Sequence, residues 1–176
     1  MRDGVTEAVT HDRRSAAQVG AASTGHASAA PRAYGPTTTT MRLAAAGGSA
    51  AGPDPTAGPT AGPTAGPTAG SAAALVAGVQ RGLLVTDLWY TRVLDPKSLV
   101  VTGLTRNGVW LIEDGEVTSA VGNLRFTQSY PQALAPGAVR GIGSTGTLLP
   151  DRWATAWFAA PAVHLASWNF TGNASG

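Results

Sequence analysis

His11, His26 and His164 are the chain's three imidazoles, and it contains no cysteine. A hydrolytic zinc site announces itself by closely spaced donors, typically two histidines a helical turn apart with a glutamate beside them. None of the three has a second histidine at i+3 to i+5, and none sits beside a glutamate at ligand spacing. A site assembled from all three is geometrically open but has no pattern behind it. Without cysteine, disulfides and thiolate metal sites are excluded, and a reducing compartment fits. A Ser-His-Asp set can be composed on paper from His164, Asp87 and any serine, yet no G-x-S-x-G elbow is present. Gly141-Ile142-Gly143-Ser144-Thr145-Gly146 matches G-x-G-x-x-G. A dinucleotide fold needs the last glycine to open a helix, whereas Thr147-Leu148-Leu149-Pro150 follows, so the expectation is a flexible glycine loop or a bulge. Asp87, flanked by apolar residues, needs a partner if its face is buried. Arg92, Arg106 and Arg125 are candidates, for a structural ion pair rather than a catalytic carboxylate. Trp89, Tyr90, Trp110, Trp153, Trp157, Phe158, Trp168 and Phe170 read as core and edge packing, or as a platform for a partner chain.

The stretch that would position these residues is 82–126. It reads as four strands, 83–94, 98–105, 109–113 and 116–121. Asn107-Gly108 and Asp114-Gly115 supply tight hairpins, and Asp95-Pro96 the third reversal. Both faces of 83–94 are largely apolar, the mark of an interior strand covered on both sides. Gly103 inside a strand predicts a bulge or a close backbone approach. Asp12 N-caps a short helix, Arg13 to Val19, stopped by Gly20. Ser71 caps a second through Gln80, with Leu75, Val76 and Val79 buried and Gly82 as its stop. Ser129-x-x-Gln132 is a capping box for a third, to about Ala135. A short strand is expected at 39–43 and strand-like pieces at 138–142, 154–158 and 162–170. His164 alternates with Val163 and Leu165 as an exposed-face residue. The fold class is α+β: a predominantly antiparallel β-sheet (meander, curved or partly barrel-like) with two or three short peripheral helices.

Twelve basic and ten acidic residues give a net charge of +2 without a basic cluster, which argues against nucleic acid or an anionic membrane as the partner. No apolar run approaches the roughly 18–20 residues that span a bilayer, and residues 1–20 lack the apolar centre of a signal peptide; the expectation is a cytoplasmic chain. From Ala44 to Gly70 the composition collapses to small residues, with four PTAG copies from Pro55. Proline every fourth residue forbids a helix and nothing apolar is offered for burial, so 44–70 reads as a disordered linker. The large apolar residues follow it, so the core is expected in 71–176. Asp3-Gly4 has hairpin chemistry with no strand before it; the readings are a chain that begins within a fold, or a frayed terminus.

The run 82–126 resembles the TldD/PmbA (TldD/TldE) family of metallopeptidase-related proteins. The resemblance is carried by Gly82-Leu83-Leu84-Val85-Thr86, Trp89-Tyr90, Asp95-Pro96, Leu104-Thr105-Arg106-Asn107-Gly108-Val109, Glu113-x-Gly115-Glu116-Val117 and Asn123-x-Arg125-Phe126. Residues 165–172, Leu-Ala-Ser-Trp-Asn-Phe-Thr-Gly, are similar to the close of family members. Arg2-Asp3-Gly4-Val5, Asp12 to Ala17 and Ser23 to Ala27 are similar to a segment of the same C-terminal domain. That assigns 1–43 to the N-terminal part of the domain, truncated upstream, 44–70 to an insertion and 71–176 to the remaining β domain.

The resemblance implies a pair of subunits. One carries His-Glu-x-x-x-His and a later cysteine, binds zinc and cleaves extended peptides; the other lacks the metal and shapes the peptide chamber. This chain has neither motif nor thiol, and is similar to the metal-free branch. The implied reading is a non-catalytic partner with no metal ligand of its own, zinc being held by a TldD-like subunit, in an oligomer acting on extended peptides. Trp89, Tyr90, Asn123, Arg125 and Phe126 are the implied peptide or interface contacts. Two alternatives stay open: the C-terminal part of an active zinc peptidase whose motif lies upstream, and a non-functional fragment.

Overall fold

The computed structural model describes residues 7–29, 32, 35–45, 68–151 and 156–173. In chain order the elements are α1 (Arg13–Val19), β1 (Thr40–Arg42), β2 (Thr68–Gly70), α2 (Ala72–Ala77), β3 (Arg81–Asp95), β4 (Val100–Glu113), β5 (Glu116–Ala120), β6 (Leu124–Ser129), α3 (Tyr130–Ala133), β7 (Val139–Pro150), β8 (Trp157–Leu165) and β9 (Phe170–Asn173). The expected fold class holds: mostly β, two sheets, largely antiparallel, with three short helices among the described residues. None of those helices is long and apolar enough to cross a membrane.

One sheet has five strands in the order β3-β4-β6-β9, with β5 beside β4. The other has four, in the order β1-β8-β7-β2, where β1 pairs β8 and β2 pairs β7 in parallel. The chain divides into two compact units, Met1–Arg42 with Thr147–Ala159, and Leu43–Gly146 with Ala160–Gly176.

In the first unit, Asp12 caps α1 as its sequence predicts. Its carboxylate accepts from Ser15 N at 2.7 Å while the Ser15 hydroxyl accepts from Asp12 N at 3.1 Å. Gly20 ends the helix with φ of 67°, a left-handed angle that costs glycine little. The Asp3-Gly4 turn lies outside the described residues.

The second unit is built on the β3–β4 hairpin. Asp95 stays as its turn former, accepting from Lys97 N at 3.0 Å and from the Ser98 hydroxyl. The second expected hairpin does not form. Asn107 and Gly108 lie within the continuous strand β4, where both face the single residue Thr86 between the pairs Val85–Val109 and Asp87–Arg106. They form a β-bulge, with Asn107 at φ 59° and Gly108 at φ 141°. The conformations that suit Asn-Gly to a tight turn suit it equally to a bulge. Asp114-Gly115 is a true hairpin turn, at φ 50° and 82°, and it docks on the chain leaving α2 through Asp114 N to Gln80 O at 2.7 Å and Gly115 N to Val79 O at 2.9 Å.

Several other boundaries move. Helix α2 is capped by Ser71, whose hydroxyl accepts from Ala74 N at 3.1 Å, but stops at Gly78 rather than Gly82. At α3 the Ser129 side chain makes no cap; its hydroxyl donates to Ser98 O at 3.1 Å and ties β6 to the β3–β4 turn. The glycine loop expected at 141–146 is strand. A Cβ on Gly143 would stand 3.1 Å from Ala162 N and one on Gly146 3.2 Å from Ala160 C, so these glycines permit close approach of β8. Thr68–Gly70, the end of the PTAG tract, pairs with Gly141–Gly143. The tract therefore closes in strand instead of linker; residues 46–67 and 152–155, including Trp153, lie outside the described set.

The core lies in β4 and β6. Val101, Gly103 and Thr105 alternate inward along β4, Phe126 is wholly buried, and Leu75 of α2 packs with this unit. Thr105, also wholly buried, accepts from Leu124 N at 2.8 Å through its hydroxyl, which satisfies a donor that would otherwise be stranded at the start of β6.

Candidate functional site

The strand expected to be interior is an edge. Among the described residues β3 pairs only with β4 in its sheet, and Leu88, Tyr90, Val93 and Leu94 are exposed along it. Apolar residues on both faces of a strand normally report cover on both faces; here they leave a long apolar edge, which in soluble proteins is ordinarily shortened, charged or covered.

A second bulge shapes this edge. Trp89 pairs with Leu104 and Arg92 with Thr102, so Tyr90 and Thr91 together face Gly103. Tyr90 takes φ of 55°, an angle disfavoured for a bulky residue by about 1–2 kcal/mol. Its side chain is 58% exposed. The Arg92 guanidinium lies over the Tyr90 ring, 4.1 Å from the centroid, and donates to its hydroxyl. Strain at an exposed aromatic on an open strand edge is the usual mark of a contact surface. From sequence Arg92 is a candidate ion-pair partner for Asp87; its contact with Tyr90 depends on the bulge, for which the local sequence carries no signal.

The five candidate peptide or interface residues of the meander separate into groups. Trp89 pairs with Leu104, Leu104 with Arg125 and Arg125 with Gly172, so Trp89 and Arg125 share one cross-strand row. Trp89 is half-buried and Arg125 exposed. Tyr90 stands beside that row in the bulge. Asn123 is half-buried just before β6. Phe126 is elsewhere: it is 0% exposed, with its ring centroid 5.6 Å from that of Trp168, and acts through packing, with no surface free to touch a ligand. Asp87 accepts from Asn107 Nδ2 at 2.8 Å and lies opposite Arg106 in register.

On the other side of β3 is a groove of about 520 Å³, lined largely by apolar residues of α2 and β3 (Leu75, Val79, Leu84, Leu88) and by Leu165 and Trp168. Tyr130 packs near Trp168, ring centroids 6.3 Å apart, and burial pushes its phenol above the ordinary value.

The histidines do not form a donor set. In the first unit the backbone brings His11 and His26 together, with His11 O accepting from Thr24 N at 3.0 Å and from His26 N at 3.3 Å. The His26 ring, however, bonds through Nδ1 to the Thr24 hydroxyl at 2.8 Å. Among the described residues no group of three or more histidines or carboxylates is placed to hold a metal ion. Zinc in a hydrolytic site takes three protein ligands; the described residues do not fit it.

The whole of 1–172 matches the family described as the PmbA/TldA metallopeptidase C-terminal domain, and the chain belongs to that family. Among solved structures it is similar to TldE from Thermococcus kodakarensis, at a TM-score of 0.66 and 17% identity over 96% of this chain. At that identity the likeness concerns the fold. The chain spans 32% of the length of that relative. Comparison with the curated proteins finds no match.

Proposed function

We propose that this domain is a non-catalytic component of a cytoplasmic peptidase assembly, of the metal-free kind, that lines the path of an extended peptide beside a zinc-bearing TldD-like subunit. The observation that carries the reading is the open edge of β3 with strained Tyr90 upon it. A peptide laid along such an edge gains main-chain hydrogen bonds by strand addition, and alternate side chains enter neighbouring pockets. Leu88, Val93 and Leu94 supply apolar contacts, while Trp89 and Arg125 offer a face for an aromatic or acidic side chain. In this reading the chain holds and orients the peptide; the zinc belongs to the partner and activates water there.

The test is a three-part measurement on the full chain. An extended, unfolded peptide binds saturably by fluorescence anisotropy, the purified chain carries no stoichiometric zinc, and it forms a complex with a TldD-like subunit on size exclusion. Chelator-sensitive hydrolysis of the peptide by the chain alone would overturn the proposal in favour of an active peptidase piece whose ligands lie elsewhere in the protein.

A further inference from the structure

Beside the β3 groove, and sharing Leu75, His164 and Ala166 with it, a cavity of about 410 Å³ opens between α2 and the β7–β8 ladder, lined by Ala74, Leu75, Gly78, Arg140, His164 and Ala166. Ala166 N donates to Ala138 O at 2.7 Å across that antiparallel ladder. Further along these two strands, Arg140 and His164 both line the cavity. Neither side chain makes a hydrogen bond or ion pair with another described residue, and among the described residues no acidic one lines the cavity. His164 is half-buried, unlike the exposed-face residue its alternation predicts.

Two cation-capable groups on one cavity repel when both are charged, and a structural role would be expected to bring an aspartate or glutamate beside them. Instead both residues line a cavity large enough for a small ligand. An arginine presents a planar fork of N–H groups that fits a carboxylate or phosphate. A histidine adds a single N–H in either tautomer. Leu75 and the alanines supply the non-polar part of the lining.

We propose that Arg140 and His164 form an oxyanion-binding site, taking a carboxylate or phosphate group whose non-polar part rests on Leu75 and Ala74. The site adjoins the groove beside β3 and shares His164 with it.

The ring resonances of His164 report on it directly, at constant pH and ionic strength, in the full chain. Acetate, a short peptide with a free C-terminus and inorganic phosphate are the probes; sodium chloride and the C-amidated peptide are the controls. A saturable shift of the His164 ring with acetate and the free peptide identifies a carboxylate, and a shift saturating first with phosphate identifies a phosphate. His11 and His26 stay unmoved in either case. Arg140→Gln, at an exposed position, weakens the response about tenfold, the effect of losing a charge-assisted hydrogen bond, while the remaining spectrum stays that of the folded chain. An equal shift with chloride, or an unchanged response in the Arg140→Gln chain, overturns the site.

Discussion

The Phe126 ring lies directly over Gly103: a Cβ on that glycine would stand 2.7 Å from Phe126 Cζ and 2.9 Å from Trp89 O. The missing side chain admits the largest buried ring of the core on one strand and the bulged Tyr90-Thr91 backbone on the other. The open edge is thereby joined to the hydrophobic interior at a single residue.

Gly103→Ala therefore destabilises the chain by about 1–3 kcal/mol, the range for overpacking a tight core. Phe126→Ala costs about 3–5 kcal/mol. In urea unfolding the combination Gly103→Ala with Phe126→Leu is less damaging than the sum of the single changes, since the residues share one space.

Gly115→Ala is unfavourable twice over. Its φ of 82° is left-handed, and the added Cβ would stand 2.7 Å from Ala77 O. We expect a loss of at least about 1–2 kcal/mol by thermal or urea unfolding. Asp114→Asn in the same turn stays within about 0.5 kcal/mol.

Two carboxylates give the chain an acid-side pH dependence. Hydrogen bonds from Ser15, backbone first and hydroxyl second, hold Asp12 below its ordinary value of 3.8. The Ser98 hydroxyl and then Lys97 N do the same for Asp95. A folded value below the unfolded one means that the unfolded chain takes up protons first as pH falls. The stabilisation is thus complete above the unfolded value, near pH 4, and is lost as pH drops through the folded values. Melting temperature followed by circular dichroism from pH 6 to pH 3 should fall over the acid end, and the fall should be shallower in the Asp12→Asn, Asp95→Asn double variant.

Tyr90→Gly separates stability from binding. Glycine relieves the left-handed strain, worth about 1–2 kcal/mol, against loss of the Arg92 contact, worth about 0.5–1 kcal/mol where exposed. The variant should melt no lower than the parent while binding an extended peptide more weakly, by about tenfold or more if Tyr90 is a principal contact. Undiminished peptide affinity would remove Tyr90 from the binding edge.

What was legible in the sequence is what local chemistry decides. Asp12, Ser15 and Gly20 specify α1 among themselves, and Asp95-Pro96 and Asp114-Gly115 specify their turns. Ser71 starts α2 as expected, yet Gly78 stops it four residues before the predicted glycine. Asn107-Gly108 was misread because the same left-handed preference serves a hairpin or a bulge, and the choice is made by Thr86 on the neighbouring strand. The edge position of β3 was hidden for a related reason: Leu88, Tyr90, Val93 and Leu94 report that a surface is apolar, not what lies against it. At the candidate site, Trp89 and Tyr90 stand on the open edge, whereas Phe126 belongs to the core. That Arg140 and His164 line one cavity had no sequence signal, since the pairing of β7 with β8 brings together residues 24 positions apart.

The strand at Thr68–Gly70 is written in a repeated word. Every PTAG copy ends in Thr-Ala-Gly, and at the closing glycine bulk would strike Ala74, an added Cβ coming within 2.9 Å of its methyl. Gain or loss of a whole copy upstream therefore hands β7 an identical partner, still followed by Ser71. The gene can stutter here in steps of twelve nucleotides without changing the sequence that enters the sheet.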